Sequence, residues 1–201
     1  MKQDVKSEIT KNLIVTKAFE RFYQYGFNNT SIDTITSDLK LTKGAFYHHF
    51  KNKKELGATV IQQKIKDRIL TGMIAPIYNH PDTPSKELLK LLFVERIQSF
   101  SSIEKNLGCP VNNFIHEIGN TDVLYQNALK NIIEEWQHAL AELIEKGKFN
   151  KEIKQNINSN ATALYLISTF EGVRGIRKLY NGNDIIINQY ILALENYIDS
   201  L

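Results

Sequence analysis

The segment Leu41-Thr42-Lys43-Gly44-Ala45-Phe46-Tyr47-His48-His49-Phe50-Lys51-Asn52-Lys53-Lys54-Glu55-Leu56 holds a short helix, a break and the start of a longer helix. Ala45 and Phe46 turn inward on a helix predicted from about Thr42 to His48. Asn52, with Glu55 three residues on, supplies N-cap and N3 chemistry, so the next helix is predicted from there to about Leu70. Upstream, Thr30 is the predicted N-cap of another short helix, with Asp33 completing a box-like pair. Ile32, Ile35 and Leu39 face inward on it, Lys40 occupies the turn, and Leu41 returns to the core. Further back, Ile14, Ala18 and Phe22 recur every four residues beside Val15 and Phe19, predicting a helix from about Ser7 to Tyr25. Gly26 ends that helix by adopting the left-handed conformation. Two short helices joined by a tight turn behind a longer one are the plan of a helix-turn-helix domain.

Charge falls on the same place. Residues 1–60 carry ten Lys/Arg and six Asp/Glu, whereas residues 61–201 carry fifteen and sixteen. Between Lys40 and Lys54 there are five lysines, two histidines and no carboxylate. Taken alone, such a run is first of all a solvated lysine face. Sitting on and just after the second short helix, it points to nucleic-acid contact at one end of the chain.

The run Ala18-x3-Phe22-x3-Gly26-Phe27-x2-Thr30-x4-Ile35, followed by Leu41 to Leu56, resembles the TetR family of repressors over about forty-five residues. The family usually has glycine in the turn and small residues before it, where this chain has Lys40 and Leu39. A non-glycine residue at positive φ costs roughly a kcal/mol and is expected to alter the angle between the short helices. The resemblance implies a homodimer on a palindromic double-stranded DNA operator, acting as a repressor that a small-molecule effector releases. Thr42, Lys43 and Gly44 begin the recognition helix and are expected at base edges, with Lys43 reading guanine and Gly44 allowing close approach. Tyr47 and His49 match phosphate-contacting positions, and His48 is expected at a base or phosphate. Lys53, at a helix N-terminus, suits a phosphate, and Thr30 and Ser31 are further phosphate candidates.

The rest of the chain reads as helix, giving an all-α fold of about nine helices. The expected division is residues 1–52 for DNA binding and 53–201 for ligand binding and dimerisation. Ala75 to Pro84, with three of the four prolines, reads as a connection, with Thr83-Pro84 capping a long helix marked by Leu88, Leu92, Phe93, Ile97 and Phe100. Gly108-Cys109-Pro110 opens a short helix to about Ile118. A helix over about 121–146 is expected to stop at Gly147. Helices over about 161–180 and 184–200 follow, separated by Asn181-Gly182 and capped by Asp184. By resemblance the last two form the dimer interface. Leu164, Ile167, Phe170, Ile185, Ile191, Leu194 and Ile198 exceed what one core stripe needs, and Gly172 and Gly175 suit close helix approach, room for a ligand or ordinary packing.

A ligand pocket is expected from Phe93, Ile97, Phe100, Phe114, Trp136 and Phe170, with Asn113, His116 and Arg174 as polar contacts. For each, plain core packing is the alternative. Cys109, just before Pro110, is read either as a small buried residue or as a thiol that the helix N-terminus turns toward thiolate. Catalysis is not expected, since Cys109 and His116 would lie about 10.5 Å apart along a helix. Adjacent His48 and His49 point about 100° apart and are not expected to share a metal. No cofactor is expected. A single cysteine, the absence of a signal-like apolar core in Met1 to Lys6, and the lack of an apolar run near ~20 residues predict a cytoplasmic protein without a membrane role. A helical ligand-binding or interaction protein that does not touch DNA is the alternative function.

Overall fold

The computed structural model describes residues 2–181 and 183–201, with nothing said of the side chains of residues 2–4. Gly182, expected to help end a helix, lies outside the described residues. Among these the secondary structure is helical throughout, and the nine expected helices are present. They are α1 (Lys2–Tyr25), α2 (Ile32–Asp38), α3 (Lys43–His49), α4 (residues 53–79), α5 (residues 85–99), α7 (Pro110–Ile118), α8 (Val123–Phe149), α9 (Ser159–Arg177) and α10 (Ile185–Ser200). A further short helix, α6 (Ser102–Leu107), was not expected. Its signal is Ser101 with Glu104, a complete capping box.

The chain forms two compact units: Met1–Asp67 with Asn113–Lys130, and Arg68–Asn112 with Asn131–Leu201. Helices α4, α7 and α8 contribute residues to both.

In the first unit, Ile14, Val15, Ala18 and Phe22 of α1 are buried with Ile35, Phe46 and Phe50. Phe22 packs on Phe27 with ring centroids 4.8 Å apart and on Phe114 at 6.2 Å. α4 comes close because Gly57 faces Phe27. A Cβ there would lie 2.7 Å from that ring, so nothing larger than glycine fits without movement. Leu39 and Leu41 are only half-buried.

In the second unit, Phe93 stacks on Trp136 at 6.3 Å, and both pack edge-on to Phe170. Arg177 is buried, donates to the Ile97 carbonyl and pairs with Asp184, which joins the end of α9 to α5 and to the start of α10.

Several local expectations need correction. α1 begins at Lys2 rather than near Ser7. α2 is capped by Ser31, whose Oγ accepts from Thr34 N at 3.0 Å. Thr30 is buried, and its hydroxyl donates to the Gly26 carbonyl. α4 does not end near Leu70 but runs on through Pro76 to Asn79. The turn Leu70–Ile74 just before that proline is a wide π turn, which spares Pro76 an ordinary i−4 hydrogen bond and the associated clash. Thr83 does not cap α5; Pro84 precedes Ser85, whose amide donates to the Glu152 carboxylate. Gly147 does not stop α8. It packs against Ile153 and Ser85, where a Cβ would come within 2.9 Å of both. The left-handed residue is Lys151 (φ 63°), with Lys151 N bonded to Lys148 O and Glu152 N to Gly147 O, a Schellman end. Asp184 spends its carboxylate on Arg177 and Lys105, so Asn183 accepts the Ile185 amide instead.

Candidate functional site

The first site is built around α2 and α3. Lys40 takes φ 53°, Lys40 N donates to Ser37 O, and Leu41 N donates to Thr36 O at 2.9 Å. The turn is therefore a Schellman motif with lysine in the position glycine usually fills. Arg21 of α1 grips Asp38 at the end of α2 with two bonds of 2.6 and 2.7 Å, which holds the Asp38 carboxyl below its ordinary range. Thr42 caps α3 by accepting from Ala45 N at 3.1 Å, and Phe46 anchors the helix as a fully buried side chain. The opposite face is open: Thr42, Lys43, Gly44, Tyr47 and His48 are exposed. A Cβ on Gly44 would meet only the Thr42 hydroxyl, at 3.8 Å, so its backbone can be approached from outside.

Lys43 reaches back to Asp33 of α2, with Nζ and Oδ1 2.8 Å apart, and this carboxylate raises its pKa. His49 is half-buried; burial, then His48 and Lys11, lower its pKa and favour the neutral ring. Asn52 caps α4 through Glu55 N at 2.9 Å. Lys53, first in that helix, lies over the Phe27 ring at 4.4 Å and 3.4 Å from the Asn28 carbonyl. The loop between α1 and α2 is itself clamped, because the Glu117 carboxylate accepts from Phe27 N and Asn28 N at 2.7 and 2.6 Å.

The second site is a cavity within the second unit. It is lined by apolar Ile69, Met73, Phe100, Trp136 and Phe170, and by Arg68, Arg96, Cys109, Glu171 and Arg174 among others. The free space is small, about 20 Å³, which is room for roughly one water molecule. Arg174 lies over the Phe100 ring at 4.2 Å, is 3.3 Å from Glu171 Oε1 and donates to the Gly108 carbonyl.

The family model described as "Bacterial regulatory proteins, tetR family" matches residues 14–59, and "Tetracyclin repressor-like, C-terminal domain" matches residues 89–187. The chain belongs to the TetR family. It is thus a helix-turn-helix transcriptional regulator and not an enzyme. It is 24% identical over 159 residues to the HTH-type transcriptional repressor DhaR of Mycobacterium sp. (strain GP1), covering 79% of this chain and 77% of that protein. It is 29% identical over 136 residues to an uncharacterized HTH-type regulator of Lactococcus lactis, covering 66% of this chain and 67% of that one. A TetR-family regulator from Cytophaga hutchinsonii superposes with a TM-score of 0.82 at 23% identity, covering 98% of this chain and 96% of that one, a likeness of fold.

Set in the TetR plan, the expected DNA-facing residues divide by exposure. Ser31, Thr42, Lys43, Gly44, Tyr47 and His48 are exposed, while His49 and Lys53 are half-covered. Thr30 is scaffold, with its hydroxyl already committed within the fold. Of the expected ligand contacts, Phe100, Cys109, Trp136, Phe170 and Arg174 line the cavity. Phe93 and Ile97 are fully buried but are not among its lining. Asn113, His116 and Phe114 belong to the first unit, and His116 is exposed. Sequence reasoning missed Arg68, Arg96 and Glu171. The available signal was weak: Glu171 and Arg174 stand three apart on one helix face beside Phe170.

Cys109 is not a thiolate. It is buried, and burial followed by the adjacent Glu171 carboxylate pushes its thiol up to about 12. Among the described residues, no group of three His, Cys, Asp or Glu could hold a metal. No helix there is long and apolar enough to cross a membrane.

Proposed function

We propose that this regulator is a ligand-released repressor that binds a palindromic operator as a homodimer in the cytoplasm. On this reading residues 1–52 read DNA, and residues 53–201 pair the subunits and sense the effector. The observation that carries it is the exposed face of α3. Thr42, Lys43 and Gly44 stand at its first turn and Tyr47 one turn on, over a helix pinned from behind by Phe46. Small or cationic groups at the helix start suit base edges, and Tyr47, His48, Lys53 and Ser31 suit flanking phosphates.

Pairing through α9 and α10 is supported by what those helices leave outside. On α9, Leu164, Tyr165, Ser168, Gly172, Gly175 and Ile176 fall within an arc of ~120° at 100° per residue, and Leu179 lies in the short turn just beyond the helix. The apolar side chains among them are 46% to 83% exposed. Ile185 and Leu192 continue the apolar exposure on α10 at 60% and 64%. A Cβ on Gly172 or Gly175 would meet nothing within 4 Å, so these glycines serve no contact inside one subunit. Ile167, Phe170, Ile191, Leu194 and Ile198 are instead core residues of the subunit itself. An exposed apolar stripe of this kind marks an association surface.

Release follows from α4, which carries Lys53 at one end and the cavity residues Arg68, Ile69 and Met73 further along. An effector that binds better to a tilted α4 shifts the population away from the DNA-fitting form. Footprinting the pure protein on its own promoter region tests the reading. A symmetric protected site, weakened by salt and by Tyr47→Ala, is expected; absence of any salt-dependent duplex binding overturns it.

A further inference from the structure

The cavity of the second unit carries more positive charge than an uncharged apolar ligand would need. Three guanidinium groups, those of Arg68, Arg96 and Arg174, face one lining carboxylate, Glu171. Arg68 is matched by Glu104 in an ion pair. Arg96 makes no ion pair among the described residues, and its guanidinium is pressed against Gly72, where a Cβ would overlap it. Burial, then the like charges of Arg174 and Arg68, lower its pKa, so its charge is held at a cost that an anion would relieve.

Two other groups of the lining are unfinished. The Trp136 Nε1–H and the Glu171 Oε2 are buried and have no hydrogen-bond partner. Buried polar groups are ordinarily satisfied, and exceptions at one cavity ask for a ligand. Burial also favours the neutral acid at Glu171. In that form its free oxygen can donate to an anion rather than repel it.

We infer that the cavity binds a small organic carboxylate, its head on Arg96 and Arg174 with the Trp136 N–H and Glu171 beside it, and its apolar body against Phe100 and Phe170. The free space in the present form is close to one water, so the ligand is compact and its entry widens the site. The wall has means to yield. Met73 is a flexible side chain lying in the π turn Leu70–Ile74, and Arg96 directly follows a second one, Leu91–Glu95. The inference deepens the effector-release reading, on which it rests for the consequence of binding but not for binding itself.

Trp136 is the only tryptophan of the chain, so its emission reports on the cavity. The full-length protein is titrated with butyrate, benzoate and phenylacetate, with the amide of each, and with benzylamine. At least one carboxylate is expected to change the emission saturably, with its own amide and benzylamine about tenfold weaker or worse. Arg96→Gln should erase that preference, and Arg96→Lys, which keeps the charge, should retain part of it. Thermal melts report whether each variant folds; if Arg96→Gln does not, the wild-type preference and Arg96→Lys still decide. A saturable response with amide or amine as tight as acid overturns the inference, as does silence from all three carboxylates or an Arg96→Gln protein that keeps the preference. Operator binding is then measured with the bound carboxylate present. Carboxylate binding without operator release sinks the effector reading while leaving the anion site standing; release by neutral compounds alone does the reverse.

Discussion

Lys43, at the first turn of α3, is held by Asp33 of α2 at 2.8 Å, so the residue proposed to meet a base edge is already engaged by a carboxylate in the free protein. Both side chains are well exposed, which makes the pair weak and readily exchanged for a nucleic-acid acceptor. On the proposed reading, binding DNA through Lys43 means giving up Asp33.

Asp33→Asn should tighten operator binding and lessen discrimination among sequences, because Lys43 no longer has a competing partner. Lys43→Ala should lose on the order of tenfold in operator affinity, with altered preference at one base pair of each half-site. Gel-shift titrations on the operator and on single-base variants check both; unchanged preference in Lys43→Ala would remove this residue from base reading.

The left-handed lysine in the helix-turn-helix corner offers a stability test. Lys40→Gly relieves a Cβ strain at φ 53° but frees the unfolded chain, so a net gain of up to about 1 kcal/mol is expected. Lys40→Val should be destabilising by a similar or larger amount. Urea unfolding of the two variants decides, with Lys151→Gly as a second instance at φ 63°.

Gly172→Ala and Gly175→Ala should act in opposite directions on the subunit and on the assembly. Within one chain an added methyl meets nothing, so each gains about 1 kcal/mol of helix propensity. At a close helix crossing between copies the same methyl pushes the partners apart. Analytical ultracentrifugation should show the dimer loosened by about tenfold or more in the double variant. A dimer as tight as wild type would place the interface elsewhere.

Cys109 should resist alkylation by iodoacetamide at neutral pH in the native protein and react at once when unfolded. The folded thiol titrates near 12, above its ordinary 9.0. Such a raised acid pKa leaves its contribution to stability intact below pH 9 and removes it as pH climbs from 9 toward 12. Cys109→Ser should flatten that alkaline decline. Rapid labelling of the folded protein at pH 7 would contradict the buried, neutral thiol.

The helix-turn-helix end was legible because its signals are local. Gly26, Lys40 and Asn52 each act on a backbone group within a few residues, and each does what its position predicts. Misreadings arose where a competing contact or a change of helical pitch overrode the expected local preference. Gly147 looks like a stop but exists to let Ile153 and Ser85 approach, and Pro76 looks like a break but follows a turn already widened for it. Ser31 rather than Thr30 caps α2 because the Thr30 hydroxyl finds Gly26 first. Arg68 and Arg96 read as solvent-facing charges on long helices, and nothing short-range distinguishes them from the lysines around them. Their convergence with Arg174 is a property of packing alone.

The wide turns Ile61–Ile65 and Leu70–Ile74 of α4 and Leu91–Glu95 of α5 each contain one residue more than an ordinary α-helix of the same length would need. Such a surplus residue is a vernier: deleting one position within 70–74 would let the helix close into regular pitch, turning everything beyond it by about 100° relative to what precedes it. Within the second unit, the angular phase of Met73 and the end of α4 against Arg68 and Ile69 is therefore set by a single surplus residue, a coordinate along which relatives can drift in cavity shape while the helix upstream stays as it is.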